Sequence, residues 1–239
     1  MRKLAVIVGT TSLDEQFAQA DVTRMDVATA TPWGEASAVP LHVVLPGVPV
    51  EFVVLYRHGE NADINPHAIN YRANLWLLKE LAVDAVLSTN TVGGVDPALE
   101  VGALVLPDQI IDYTWGREST YDDERRHVEF AEPYTEALRQ RLLAADPSIV
   151  DGGTYGATQG PRLETAAEIR RLARDGCTLV GMTGMPEAAL ARELELAYAS
   201  VCVVVNPAAG VVPGAVDMAA LRAASVAGAE RIVSLLRAL

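Results

Sequence analysis

The sequence predicts a single α/β domain, residues 1–239, built around a central sheet. Three observations lead there. Short runs rich in β-branched residues alternate with longer segments that carry apolar residues at helical spacing. Several of the strand runs are continuously apolar, as expected where helices cover both faces of a sheet. A chain of 239 residues, 50% of them hydrophobic, can also bury a large core without disulfides or metals.

Taken in order, the strands are read from KLAVIVG (3–9), LHVVL (41–45), EFVVLY (51–56), DAVLST (84–89), GALVLP (102–107) and YASVCVVV (198–205). Helices are read over 67–82, 134–145, 162–175, 185–196 and 217–237, where apolar residues return every three or four positions. Pro161 opens the third of these, Gly176 closes it, and Asp217 is placed to cap the last. There is no internal repeat, low-complexity tract or Pro/Gly-rich linker that would divide the chain.

Composition narrows the function. A net charge of −12 excludes general nucleic-acid binding, which needs a basic footprint, and leaves an anionic substrate to a locally positive pocket. No stretch reaches the roughly 20 apolar residues of a spanning helix. The apolar run before Gly9 is about six residues, shorter than the core of a secretory leader. Cys177 and Cys202 lie in apolar settings, which suits a reducing compartment. A cytoplasmic protein that binds neither nucleic acid nor membrane is expected.

Polar residues gather where strands end: Thr10, Thr11 and Ser12; Arg57 and His58; Asn90 and Thr91; Asn206. In α/β sheets ligands bind outside the carboxyl ends of strands, so these distant segments predict one assembled site. GTTS at 9–12 is either a phosphate cradle or a plain turn; it is no P-loop, and G-x-G-x-x-G is absent. YRHG at 56–59 adds a guanidinium suited to oxyanions and an imidazole. His42, His58, His67 and His127 show no metal-ligand spacing. G-x-S-x-G is absent and neither cysteine has a polar setting, which disfavours a covalent mechanism. A site for a phosphate and a polar heterocycle remains.

RHG (57–59), INYRANLWLLKEL (69–81), STNTVGGV (88–95), TQGPRLETAAE (158–168) and GMTGMPEAALARELELAYAS (181–200) together resemble the trimeric purine nucleoside phosphorylase and methylthioadenosine phosphorylase family. The resemblance runs from about residue 4 to the C-terminus in the family's motif order, and within it the sequence is similar to the bacterial S-methyl-5′-thioinosine phosphorylases. It implies the nucleoside phosphorylase fold, a central mixed β-sheet flanked by helices, and a homotrimer with sites at subunit edges. It also implies attack of phosphate on the anomeric carbon of a purine nucleoside, with inorganic phosphate as co-substrate and no cofactor or metal.

By position, the resemblance implies a phosphate cradle of Thr11, Arg57, His58, Thr91 and Thr183, and a sugar site of Met182 and Asn90. His127 is implied to reach a neighbouring subunit's sugar pocket, and Glu187 lies close to these groups with a structural role. The family usually places Gly on either side of the first loop's Thr or Ser; here Thr10 and Ser12 flank Thr11, and side chains there restrict the backbone.

The implied base site is Leu163, Glu164 and Asn206, with Glu164 and Asn206 taking part in catalysis. Related methylthioadenosine enzymes carry Asp where this chain has Asn206. An amide donates to O6 and accepts from a protonated N7, whereas a carboxylate suits a 6-amino group. Glu164 would accept from N1–H, a hydrogen that a 6-aminopurine lacks. Inosine enzymes bind the 5′-hydroxyl with a histidine near the last helix; here GAVDMAAL (214–221), with Val216 and Met218, has none. S-methyl-5′-thioinosine is therefore the expected substrate. Inosine or guanosine and methylthioadenosine are the alternatives, and a nucleosidase or a purine-binding scaffold lies further off.

Overall fold

The computed structural model describes residues 1–10, 13, 15–116, 118–122, 124–214 and 217–239. Its strands are β1 (Lys3–Val8), β2 (Asp21–Arg24), β3 (Ala30–Thr31), β4 (Gly34–Glu35), β5 (Leu41–Val44), β6 (Glu51–Tyr56), β7 (Ala85–Gly94), β8 (Leu104–Leu106), β9 (Gln109–Asp112), β10 (Val150–Asp151), β11 (Thr154–Ala157), β12 (Leu179–Gly181) and β13 (Ala197–Pro207). Its helices are α1 (Tyr71–Glu80), α2 (Glu136–Ala145), α3 (Ala166–Arg174), α4 (Glu187–Glu193) and α5 (Met218–Arg237).

The main sheet runs β10-β8-β13-β7-β1-β6-β5-β2. β13, β7, β1 and β6 are mutually parallel, while β8 and β5 join their flanks antiparallel, so the sheet is mixed as expected. Alternation along β1 explains its unbroken apolar run. Leu4, Val6 and Val8 face the layer of α2 and α5, packing with Leu142 and Ile232. Ala5 and Ile7 face the layer of α1 and α4, packing with Leu75 and Leu190.

The structure differs from the sequence reading in ways that bear on the site. β7 extends to Gly94, so Asn90 and Thr91 lie within the strand and not after it. β13 likewise runs past Val205, where a bulge shifts the register before Asn206 pairs with Gly93. The far half of β7 carries a second wing: β12 pairs with Gly93 and Gly94, β11 with β12, and β9 with β11. These short strands were not among the sequence-predicted ones, nor were β2, β3, β4 and β10. The helix read from residue 162 starts at Ala166, because Thr165 caps it with a reciprocal box to Glu168. The helix read from 67 is a 3₁₀ turn at Pro66–Ala68 followed by α1, for which Asn70 is the cap. Among the described residues no helix is long and apolar enough to cross a membrane.

Candidate active site

A cavity opens where β1, β6, β7 and β13 end. His58, Asn90, Thr91, Met182 and Thr183 line it, together with Leu163, Glu164 and Asn206. Residues expected from five separate segments thus share one space. Thr11 and Ser12 lie outside the described residues, as does Val216.

The floor of the cavity is a buried polar network. Ser88 and Asn90 point to one face of β7 because they stand two positions apart on the strand. The Asn90 amide donates to Ser88 Oγ at 3.2 Å and to Ser200 Oγ at 2.6 Å, and its Oδ1 accepts from Thr183 Oγ1 at 2.7 Å. Both Asn90 amide hydrogens are thereby spent, and Thr183 is fixed at the cavity wall. Thr10 and Thr91 share a hydrogen bond at 3.2 Å on the opposite side.

Arg57 does not line the cavity. Its side chain is 0% exposed, and its Nη1 donates to both Glu187 oxygens, at 2.9 and 2.7 Å, and to Ser88 Oγ at 3.0 Å. Nη2 donates to the Thr89 carbonyl, while Nε has no hydrogen-bond partner among the described residues. Burial, the largest single effect, opposes the charge on Arg57, but Glu187, Tyr198 and Tyr71 together outweigh it and raise its pKa, so the guanidinium stays charged. Tyr198 completes the pair by donating to Glu187 Oε1 at 2.8 Å. Gly9 separates this cation from the cavity: a Cβ there would lie 3.0 Å from the Thr89 carbonyl and 3.4 Å from Arg57 Nη2.

His58 lines the cavity and donates from Nδ1 to the Ile64 carbonyl at 2.8 Å. Burial, reinforced by Arg57, pushes its pKa below the ordinary 6.5, so the ring is neutral at pH 7 and its Nε2 is an acceptor. Among the described residues no cluster of side chains has the makings of a metal site. Burial also pushes the Cys202 thiol up to about 12, and it sits 3.5 Å from Ser200 Oγ as a protonated group.

The rim is looser. Asn206 is half-buried, and its Nδ2 donates to the Pro207 carbonyl at 2.7 Å. Among the described residues nothing else engages this amide, which leaves one hydrogen and Oδ1 for a ligand. Glu164 accepts from Thr158 Oγ1 at 2.6 Å. Leu163 is 52% exposed, and Leu221 of α5 reaches the cavity; Met218, at the start of α5, is 50% exposed and does not line it. His127 is exposed in the long connection from β9 to α2 and does not line this chain's cavity. Residues that sequence reasoning did not single out include Ser88, Ser200, Thr158 and Leu221. The two serines did leave a trace, as hydroxyls inside otherwise apolar strand runs.

A sequence profile of the Phosphorylase superfamily matches residues 3–239. A protein of Pseudomonas syringae pv. tomato named "Probable S-methyl-5'-thioinosine phosphorylase" is 52% identical over 182 residues, covering 73% of this chain and 74% of the relative. A Xylella fastidiosa protein of the same name is 51% identical over 222 residues, covering 89% and 87%. Among solved structures, methylthioadenosine phosphorylase from Schistosoma mansoni in complex with adenine superposes with a TM-score of 0.89 at 29% identity, covering 100% of this chain and 91% of that one. With a family match across nearly its whole length and relatives at half identity, the chain belongs to the phosphorylase superfamily.

Proposed function

We propose that the chain catalyses phosphorolysis of S-methyl-5′-thioinosine to hypoxanthine and 5-methylthioribose 1-phosphate. The observation that carries this reading is that Asn206 and Glu164 line the same cavity as His58, Thr91 and Thr183. A 6-oxopurine edge and an anion can therefore be held in one space. The names of the Pseudomonas and Xylella relatives support the same substrate.

In this mechanism a phosphate oxygen forms a bond to C1′ as the C1′–N9 bond breaks and its electron pair passes to the purine. Positive charge develops on the sugar and negative charge on the base. Asn206 Oδ1 accepts from a protonated N7, the remaining Nδ2 hydrogen donates to O6, and Glu164 accepts from N1–H. The proton that N7 gains is, in net, the one the attacking hydrogen phosphate gives up on becoming a phosphate ester, so the base leaves as neutral hypoxanthine. Thr91 and main-chain N–H groups orient the phosphate beside Met182 and Asn90, and Thr183 joins them by turning its one hydroxyl hydrogen from Asn90 Oδ1 to a phosphate oxygen. Thr11, outside the described residues, is proposed as a further phosphate ligand. Arg57 acts at one remove: its field reaches the anion through Gly9, and its bond to Ser88 holds Asn90 and so Thr183. The equation balances without a cofactor, with inorganic phosphate as co-substrate.

Leu221 gives the 5′ end apolar surface, and no histidine follows His127 in the chain. A methylthio group needs no donor and gains roughly 25 cal/mol per Å² buried there. His127, exposed on its own chain, is proposed to serve a neighbouring copy in a homotrimer. Two free buried thiols support residence in the cytoplasm.

The experiment is release of free base from methylthioinosine, methylthioadenosine and inosine in parallel, with and without phosphate. Strong preference for methylthioinosine with an absolute need for phosphate is expected. Preference for methylthioadenosine would overturn the base-edge reading, preference for inosine the 5′ reading, and phosphate-independent turnover the reaction itself.

A further inference from the structure

A carboxylate that reads one hydrogen of a purine has to be aimed, and Glu164 stands on a loop with exposed neighbours. The backbone after it is well held. Thr165 Oγ1 accepts from the Glu168 N–H at 3.2 Å, Glu168 Oε2 accepts from the Thr165 N–H at 2.7 Å, and Arg162 grips both Glu168 oxygens at 2.9 and 2.7 Å. None of these bonds touches the Glu164 side chain. Among the described residues its carboxylate takes one hydrogen bond, from Thr158 Oγ1 to Oε1 at 2.6 Å.

Thr158 is well placed to aim it. It follows β11, and its N–H donates to the Gly181 carbonyl at 2.8 Å, directly before Met182 and Thr183. The residue is thus anchored to the sheet edge that carries the sugar face of the cavity, and its branched side chain has little rotamer freedom. Glu164 also separates two cavities. On one side lies the site; on the other lies a groove lined by Tyr113, Trp115, Arg162 and Arg171. The two arginines of that groove offer a carboxylate a competing attraction away from the base.

We propose that Thr158 is a positioning residue for base recognition: its hydroxyl holds Glu164 Oε1, leaving Oε2 aimed at the purine N1–H and the carboxylate out of the arginine-lined groove. This inference rests on the proposed reading of Glu164 as the N1–H acceptor. Thr158 touches neither phosphate nor sugar in this account, so its removal should be felt in the choice between bases.

The test compares Thr158→Val, Thr158→Ser and Glu164→Gln for kcat and KM with methylthioinosine, methylthioadenosine and phosphate. Thr158→Val keeps the shape and removes the donor. It is expected to lower kcat/KM for methylthioinosine about tenfold, the size of one lost hydrogen bond to a charged group. The methylthioadenosine value and the KM for phosphate should stay within about twofold, so that the ratio between nucleosides falls. Thr158→Ser restores the donor and should restore the ratio. If Thr158→Val lowers both nucleosides alike or raises the KM for phosphate, Thr158 merely supports the loop and the proposal is overturned. If Glu164→Gln collapses the ratio while Thr158→Val leaves it intact, the positioning role alone fails. If Glu164→Gln leaves the ratio unchanged, the base-edge reading falls and this inference with it.

Discussion

The floor and the rim of the cavity are built on different principles. At and beneath the floor, Arg57 and Glu187 are both 0% exposed and Asn90 is 3% exposed, and the Arg57 Nη atoms, Glu187, Asn90 and Thr183 are held by one another or by Ser88, Ser200 and the backbone before any substrate arrives. At the rim, Leu163 is about half exposed, and among the described residues Glu164 and Asn206 each have a single side-chain hydrogen bond. Groups already oriented cost no reorganisation when charge develops, so the floor suits the bond-breaking step. The rim keeps donors and acceptors unspent, which suits discrimination between bases. On the proposed reading, the groups held in the buried network carry the shared chemistry, and the more loosely held rim residues carry the choice of substrate.

Breaking the floor should cost most. Glu187→Ala leaves a guanidinium buried without its counter-ion, a change that costs about 3–5 kcal/mol of stability. Urea unfolding would measure it, and a variant as stable as the parent would show that the pair does not hold the floor. The double substitution Arg57→Met, Glu187→Leu removes both charges; it should regain much of that stability and still turn over poorly at any phosphate concentration. The rim should respond differently. Asn206→Asp is expected to leave stability nearly unchanged and to shift the methylthioinosine-to-methylthioadenosine ratio about 100-fold toward the 6-amino base. Competition assays with both nucleosides would read that shift, and an unchanged ratio would remove Asn206 from base selection.

Between floor and rim stands Gly9, and it sharpens the contrast. A methyl group there meets a backbone carbonyl 3.0 Å away, which cannot swing aside as a side-chain tip can, and presses on the Arg57 guanidinium behind it. Gly9→Ala should lower kcat/KM for phosphate about tenfold, in keeping with the sensitivity of positioned reactants to sub-ångström shifts. The nucleoside ratio should hold, and a change in that ratio instead would mean that floor and rim are not separable.

The contrast also explains what could be read beforehand. Continuous apolar runs such as LAVIV and VCVVV announced the central strands, because burial on both faces leaves no polar alternation. β11 and β12 escaped notice: TYGA and LVG are short, and Gly156 packs where a Cβ would press on Leu172 and Cys177, so close packing erased the usual strand composition. The cavity residues at strand ends were legible as polar letters after apolar ones. The depth of Arg57 was not, since an arginine after a strand looks the same whether it faces a ligand or a buried glutamate 130 positions away in sequence. Thr158 was invisible for the reverse reason: one threonine in a loop declares nothing until its hydroxyl is seen on Glu164.

The smallest effect should come from one proton on the floor. His58 spends its Nδ1 hydrogen on Ile64, and burial together with the neighbouring Arg57 cation holds its pKa below 6.5. The unfolded chain therefore takes up this proton at a higher pH than the folded one does. The contribution to stability is fully present above pH 6.5 and is lost as the pH falls from there through the lower folded value. His58→Asn keeps an amide donor for the Ile64 carbonyl but cannot titrate. Urea unfolding at a series of pH values below 6.5 should show a shallower loss of stability for this variant than for the parent. Parallel slopes would mean that the histidine is already relieved of Arg57 and that the floor tolerates a second cation. A shallower slope would mean that the floor accepts one buried positive charge, the one Glu187 compensates, and resists another.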